Sequence, residues 1–144
     1  MNDTSTCVFV CNKLLRGEIS AIESYQEALG KFEHSADIDS LQQILEDHRK
    51  SADALRDHIA AMGATPDTDS GAWGNFAQTV TSAAGLLGQS PVVSALIQGE
   101  EHGIREYEEA LNDRDVMNEV KIVFRDTLIP RLQKHIALLE NIKS

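Results

Sequence analysis

Apolar residues recur at three- and four-residue steps along most of this chain. Val8, Cys11, Leu14, Leu15, Ile22, Tyr25 and Leu29 make the first stripe, entered after Thr4 or Ser5. That spacing is one face of an amphipathic helix with a hydroxyl residue at its start, and it predicts a first helix over about 5–34. After Ser35-Ala36-Asp37, with Asp37 or Asp39 as N-cap, a second stripe runs through Leu41, Ile44, Leu45, Ala52, Leu55, Ile59 and Met62. It predicts a helix over about 38–62 that Gly63 closes.

Beyond Pro91 come Val92, Val93, Leu96, Ile97, Ile104, Tyr107 and Leu111, then a polar turn at Asn112-Asp113-Arg114-Asp115. The last stripe holds Val120, Val123, Phe124, Leu128, Leu132, Leu138, Leu139 and Ile142. Helices over about 92–112 and 116–143 follow. No strand-like alternation of any length occurs, so the class is all-α. Pro130 falls inside the fourth helix, where its missing N–H and its ring should kink the rod and free a carbonyl near Asp126. The segment 63–91 is the connection between the two pairs. Within it Trp73, Phe76, Val80, Ala83 and Leu87 keep helical spacing, predicting a short helix over about 71–87 laid over the bundle.

The two halves resemble each other. Residues 14–29, Leu-Leu-Arg-Gly-Glu-Ile-Ser-Ala-Ile-Glu-Ser-Tyr-Gln-Glu-Ala-Leu, align without gaps to residues 96–111. Glu18 and Tyr25 fall on Glu100 and Tyr107. Leu41, Leu45 and His48 echo Leu128, Leu132 and His135 more faintly. Glu18, His48, Glu100 and His135 all sit on apolar stripes, so four ionisable groups face the core in two equivalent pairs. A buried carboxylate left alone costs several kcal/mol, and each needs a donor, a cation or a metal. At ~1.5 Å of rise per residue, the four share one band ~10 Å deep only if the 63–91 segment crosses the bundle from end to end. Tyr25 then lies near the level of Glu100, and Tyr107 near that of Glu18.

Composition narrows the partners. The 144 residues suffice for one core and are too few for two, so residues 1–144 read as a single domain. A net charge of −10 repels phosphate backbones and anionic membrane surfaces, which argues against nucleic acid and membrane as partners. No apolar run is long enough to span a bilayer, and Met1-Asn2-Asp3 has no basic start, so the expected location is cytoplasmic. Cys7 and Cys11, four apart on one helix face, are expected reduced. A symmetric homodimer is the partner this acidic bundle suggests. The chain has no phosphate loop, no nucleophilic triad order and no Cys-x-x-Cys, and no residue is assigned a catalytic role.

Two repeated helix pairs with a long connection, and Glu, His, Glu, His facing inward, resemble the ferritin-like four-helix bundles. The chain is most similar to the bacterial ferritin-like family of domain of unknown function 2383. The residues that carry this are Leu14-Leu15-Arg16-Gly17-Glu18 with Tyr25, Asp47-His48, Ser70-Gly71-Ala72-Trp73-Gly74, Gly99-Glu100-Glu101-His102-Gly103 with Tyr107, and Leu128-Ile129-Pro130 with His135. The resemblance implies a ferritin-like four-helix bundle and a candidate metal site of Glu18, His48, Glu100 and His135 for Fe, Mn or Zn. Tyr25, Tyr107, Asp47, Glu101 and His102 are candidates to stand behind those ligands. The chain departs from the di-iron pattern at one point. Three residues before His48 and His135 stand Leu45 and Leu132, where each Glu-x-x-His motif has its bridging glutamate. Three readings stay open. The first is a non-catalytic bundle whose tetrad is at most a degenerate metal site. The others are a metal-binding or storage protein using the tetrad, and a di-iron-type oxidoreductase.

Overall fold

The computed structural model describes residues 4–32, 35–71 and 89–143. Three long helices, α1 (Thr4–Phe32), α2 (Ile38–Ala61) and α3 (Gln89–Leu111), are followed by a rod in three pieces. Those pieces are α4 (Asn118–Val123), a π-helical turn (Phe124–Leu128) and α5 (Ile129–Lys143). The fold is a four-helix bundle, with no strand among the described residues.

The helix ends follow local chemistry. At the end of α2 the Gly63 N–H donates to the Ala60 carbonyl (2.9 Å) and the Ala64 N–H to that of Ile59 (3.2 Å). Gly63 at φ +81° supplies the left-handed residue this closure requires. Asp37 occupies the N-cap of α2 without making a side-chain cap bond; its N–H donates to the Ser35 hydroxyl at 3.1 Å. Helix α3 starts three residues earlier than the sequence suggests, with Pro91 inside its first turn. Proline is tolerated there because the first N–H groups of a helix have no intrahelical acceptor. The disturbance expected from Pro130 lies just upstream, as the π-helical turn, where the Ile129 N–H reaches back five residues to the Phe124 carbonyl.

Helix directions follow from contacts at separated heights. Gln89 Nε2 donates to the Lys31 carbonyl (3.1 Å) while Lys13 pairs with Glu106 (3.5 Å), so α1 and α3 are antiparallel. Arg131 donates to Ser51 (3.1 Å) and His135 contacts Asp47 (2.9 Å), which makes α2 and α5 antiparallel. The two hairpins, α1 with α2 and α3 with the α4–α5 rod, meet chiefly along α1 and α3. Helices α2 and α3 consequently run the same way, so Ala61 and Gln89 lie at opposite ends of the bundle. The described beginning of the connection between them climbs α1. The Asp67 N–H donates to Asn12 (2.9 Å), the Asp67 carboxylate pairs with Arg16, and Gly71 lies against the Arg16 side chain. The short helix expected over 71–87, with Trp73, Phe76, Val80, Ala83 and Leu87, falls outside the described residues beyond Gly71. So do residues 33–34, at the expected end of the first helix.

The core is divided in two. Cys7, Cys11, Leu15, Leu55, Ile59, Val120, Phe124 and Leu128 fill one end, and Phe32, Leu41, Ile44, Val92, Leu96 and Leu139 the other. Between them lies a layer of buried Glu18, Asp47, His48, Glu100 and His135. Cys7 and Cys11 are both free thiols in the first cluster. Burial, with the neighbouring Cys7, pushes the Cys11 thiol up to about 12, so it stays protonated. No described helix is long and apolar enough to cross a membrane.

Candidate metal centre

Each helix contributes to the polar layer from a position its stripe dictates. Glu18 lies four residues after Leu14 on α1, His48 three after Leu45 on α2, Glu100 four after Leu96 on α3, and His135 three after Leu132 on α5. All four are buried, none more than 4% exposed. They join end to end. His48 Nδ1 lies 2.7 Å from Glu18 Oε1 and its Nε2 2.8 Å from Glu100 Oε2. His135 Nδ1 lies 2.5 Å from Glu100 Oε1, and its Nε2 2.9 Å from Asp47 Oδ2. Tyr107 closes one end by donating to Glu18 Oε2 at 2.7 Å. Lys134 closes the other, with its ammonium 2.9 Å from Asp47 and half in solvent.

The chain of alternating imidazole and carboxylate carries its own proton count. Each of the four nitrogen-to-oxygen contacts needs one proton, and an imidazolium at His48 supplies two of them, to Glu18 and Glu100. Buried carboxylates are tolerated in a core when each faces a donor or a cation, as Asp47 faces Lys134. The electrostatics agree. Burial alone would strip the His48 proton, but the facing Glu100 and Glu18 carboxylates outweigh it and hold the group at about 10, against an ordinary 6.5. Burial would likewise raise Glu100, yet His48 and His135 bring its carboxyl below the usual value. At Asp47 desolvation again acts upward, and the hydrogen bonds from His135 and Lys134 overcome it to lower the carboxyl.

Aromatic rings brace the layer on both sides. Tyr25 stacks on His48, centroids 5.4 Å apart and planes 26° apart. Tyr107 meets the edge of Phe124 at 5.3 Å, so the π-helical turn places the ring that backs the Glu18 donor. Burial, reinforced by the nearby carboxylates, pushes both phenols well above their ordinary range, and both remain protonated. Tyr107 uses its hydroxyl. Among the described residues, the Tyr25 hydroxyl is the one buried side-chain polar atom without a hydrogen-bond partner.

His48, Glu100 and His135 each present a ligand atom, and the three atoms lie within 4.8 Å of one another. Two imidazoles and a carboxylate form an N,N,O donor set of the kind that suits Zn²⁺ or Fe²⁺. The other nitrogen of each histidine already faces a carboxylate, Glu18 for His48 and Asp47 for His135. That is the support metal-bound histidines ordinarily have behind them. A two-metal centre does not fit. The positions of the missing bridging glutamates are Leu45 and Leu132, 5% and 2% exposed and part of the apolar core.

Of the residues expected to stand behind the ligands, Asp47, Tyr25 and Tyr107 are in the layer. Glu101 and His102 are not. They lie exposed on the outer face of α3, where His102 contacts Glu106 at 3.2 Å, because each successive helical residue turns by about 100° from the inward Glu100. Lys134 went unnoticed in the sequence. A signal for it existed, since Asp47 immediately before His48 corresponds to Lys134 immediately before His135, opposite charges at matched positions. On antiparallel α2 and α5 those two side chains meet.

No curated protein and no solved structure matches this chain. The profile of one family, described as domain of unknown function (DUF2383), matches residues 8–113 and so covers α1 from Val8 onward, α2, α3 and the connection between the hairpins. The chain belongs to that family.

Proposed function

We propose that this protein binds one divalent transition-metal ion per chain, Zn²⁺, Fe²⁺ or Mn²⁺, in a ferritin-like bundle core. His48, Glu100 and His135 are the ligands. The observation that carries the reading is the convergence of their three buried ligand atoms, with a carboxylate already behind each imidazole. Glu18 thereby moves from ligand to support, orienting His48 through Nδ1, with Tyr107 in turn orienting Glu18. A bound ion would supply positive charge where the metal-free layer uses imidazolium protons. Its binding must displace the proton that His48 Nε2 shares with Glu100, so affinity rises with pH.

The test is elemental analysis of protein prepared without a metal-affinity tag, with Zn²⁺, Mn²⁺ and anaerobic Fe²⁺ titrations. One equivalent of metal is expected, lost in His48→Ala/His135→Ala. Glu18→Gln should retain the stoichiometry and weaken affinity by about 10–100-fold, as removal of a supporting partner does elsewhere. Metal-free protein that none of the three ions stabilises sinks the proposal. That outcome leaves the second reading, favoured by the complete partnering of all four ring nitrogens: a proton-bridged layer that fixes helix register and binds nothing.

A further inference from the structure

We infer that the seam between α1 and α3 is the path by which a divalent cation reaches the core, with Glu106 as the carboxylate that hands it inward. The inference rests on the proposed metal centre. On the outside, a groove of about 300 Å³ is walled by Phe9, Val10 and Ala110 and edged by Glu106, Glu109 and Asp113, with Lys13 as its one cation among the described residues. Inside, a cavity of about 40 Å³ reaches Glu18, Glu100 and His48. That is more than the ~10–15 Å³ one water-sized sphere occupies and far less than the ~150 Å³ that admits benzene, so it passes an ion with little of its hydration shell.

Leu14 and Glu106 line both spaces, and Glu106 is therefore the point where the outer groove meets the inner cavity. Its side chain is only 10% exposed, held 3.5 Å from Lys13 and 3.2 Å from His102. Small residues line the inner cavity beneath it, Gly17, Ser20 and Ala21 from α1 and Gly99 and Gly103 from α3. Tyr25, whose buried hydroxyl has no hydrogen-bond partner, also lines the inner cavity. A cation moving inward thus meets the carboxylates of the groove, then Glu106, then Tyr25 and the two core glutamates. At each stage an oxygen replaces water it has lost. The acidic rim raises local cation concentration, an effect on rate that salt suppresses.

Stopped-flow uptake of Co²⁺, with release into excess chelator, tests the path. Glu106→Gln should slow uptake about tenfold or more at low ionic strength. It should slow release by the same factor and leave the dissociation constant unchanged, because a waypoint alters both directions equally. Ala21→Leu, which narrows the seam without touching a charge, should do likewise. The effect of Glu106→Gln should shrink in high salt, and that of Ala21→Leu should persist. Wild-type uptake rates in both variants overturn the path while leaving the centre intact. Loss of affinity with an unchanged uptake rate overturns it too, since that marks Glu106 as a structural support. Failure of wild-type protein to take up any Co²⁺ overturns the centre itself and the path with it.

Discussion

His48 keeps its proton to about 10 when folded, against 6.5 ordinarily. Its contribution to stability is complete below about 6.5 and is lost as the pH rises through about 10. Glu100 and Asp47 lie below their ordinary 4.5 and 3.8. Their contributions are complete above those values and vanish as the pH falls through the depressed ones. Cys11, ordinarily near 9 and folded at about 12, adds a separate loss between those two values. Metal-free protein should therefore have its highest urea midpoint between roughly pH 5 and 6.5, with two stages of decline on the alkaline side. His48→Gln should remove the first stage and spare the second. A midpoint that stays level from pH 6.5 to 9 in the parent protein contradicts the charged assignment of His48. At this scale the sequence was informative about which residues lie inward. Glu18, His48, Glu100 and His135 could be read from stripe positions alone, because burial on a helix follows a fixed period. Their bonding order could not, since Asp47 and Lys134 take part only because two antiparallel helices bring them level.

Elements are held by a few backbone requirements. Gly71 has φ +54°, and a β-carbon there would lie 2.6 Å from the Arg16 Cδ. Arg16 in turn pairs with Asp67, so one glycine lets the connection lie flat against α1 while its anchor forms. Gly71→Ala should cost about 1–2 kcal/mol from the left-handed backbone and more if Arg16 is displaced. Urea unfolding measures the loss; a variant as stable as the parent shows that the connection is free to move away from α1. The π-helical turn is a second such requirement. Pro130 can be recognised in the sequence as a disturbance, because its ring excludes the ordinary bond to Asp126. That the helix would absorb it by widening over Phe124–Leu128, and so set Phe124 against Tyr107, depends on what that face packs against. The start of α3 shows the reverse case. Proline at its third position reads as a boundary in one dimension and is harmless in a first turn.

Across the whole molecule, the proposed ion would tie three of the four helices together at one point. Ligand that binds only the folded chain stabilises it by about 2.7 kcal/mol at a free concentration one hundred times the dissociation constant. At roughly 2–4 °C per kcal/mol for a chain near this size, saturating Zn²⁺ should raise the melting temperature by about 5–10 °C, and chelator should reverse it. His48→Ala/His135→Ala should show no rise. A rise that survives in that double variant places the ion elsewhere, on the acidic surface.

Helix content, the inward position of the tetrad, the absence of bridging glutamates and the need for an end-to-end connection were all carried by the linear chain. Each depends on a local period or on the rise per residue, which geometry fixes without reference to neighbours. Tertiary structure decided which nitrogen meets which oxygen, and that Glu18 meets His48 alone while Glu100 lies between two imidazoles. It also decided that the Tyr25 hydroxyl has no hydrogen-bond partner while that of its counterpart Tyr107 does. These outcomes are set by the relative rotation and height of packed helices. A shift of one residue in either would exchange donors and acceptors without altering the pattern of the sequence.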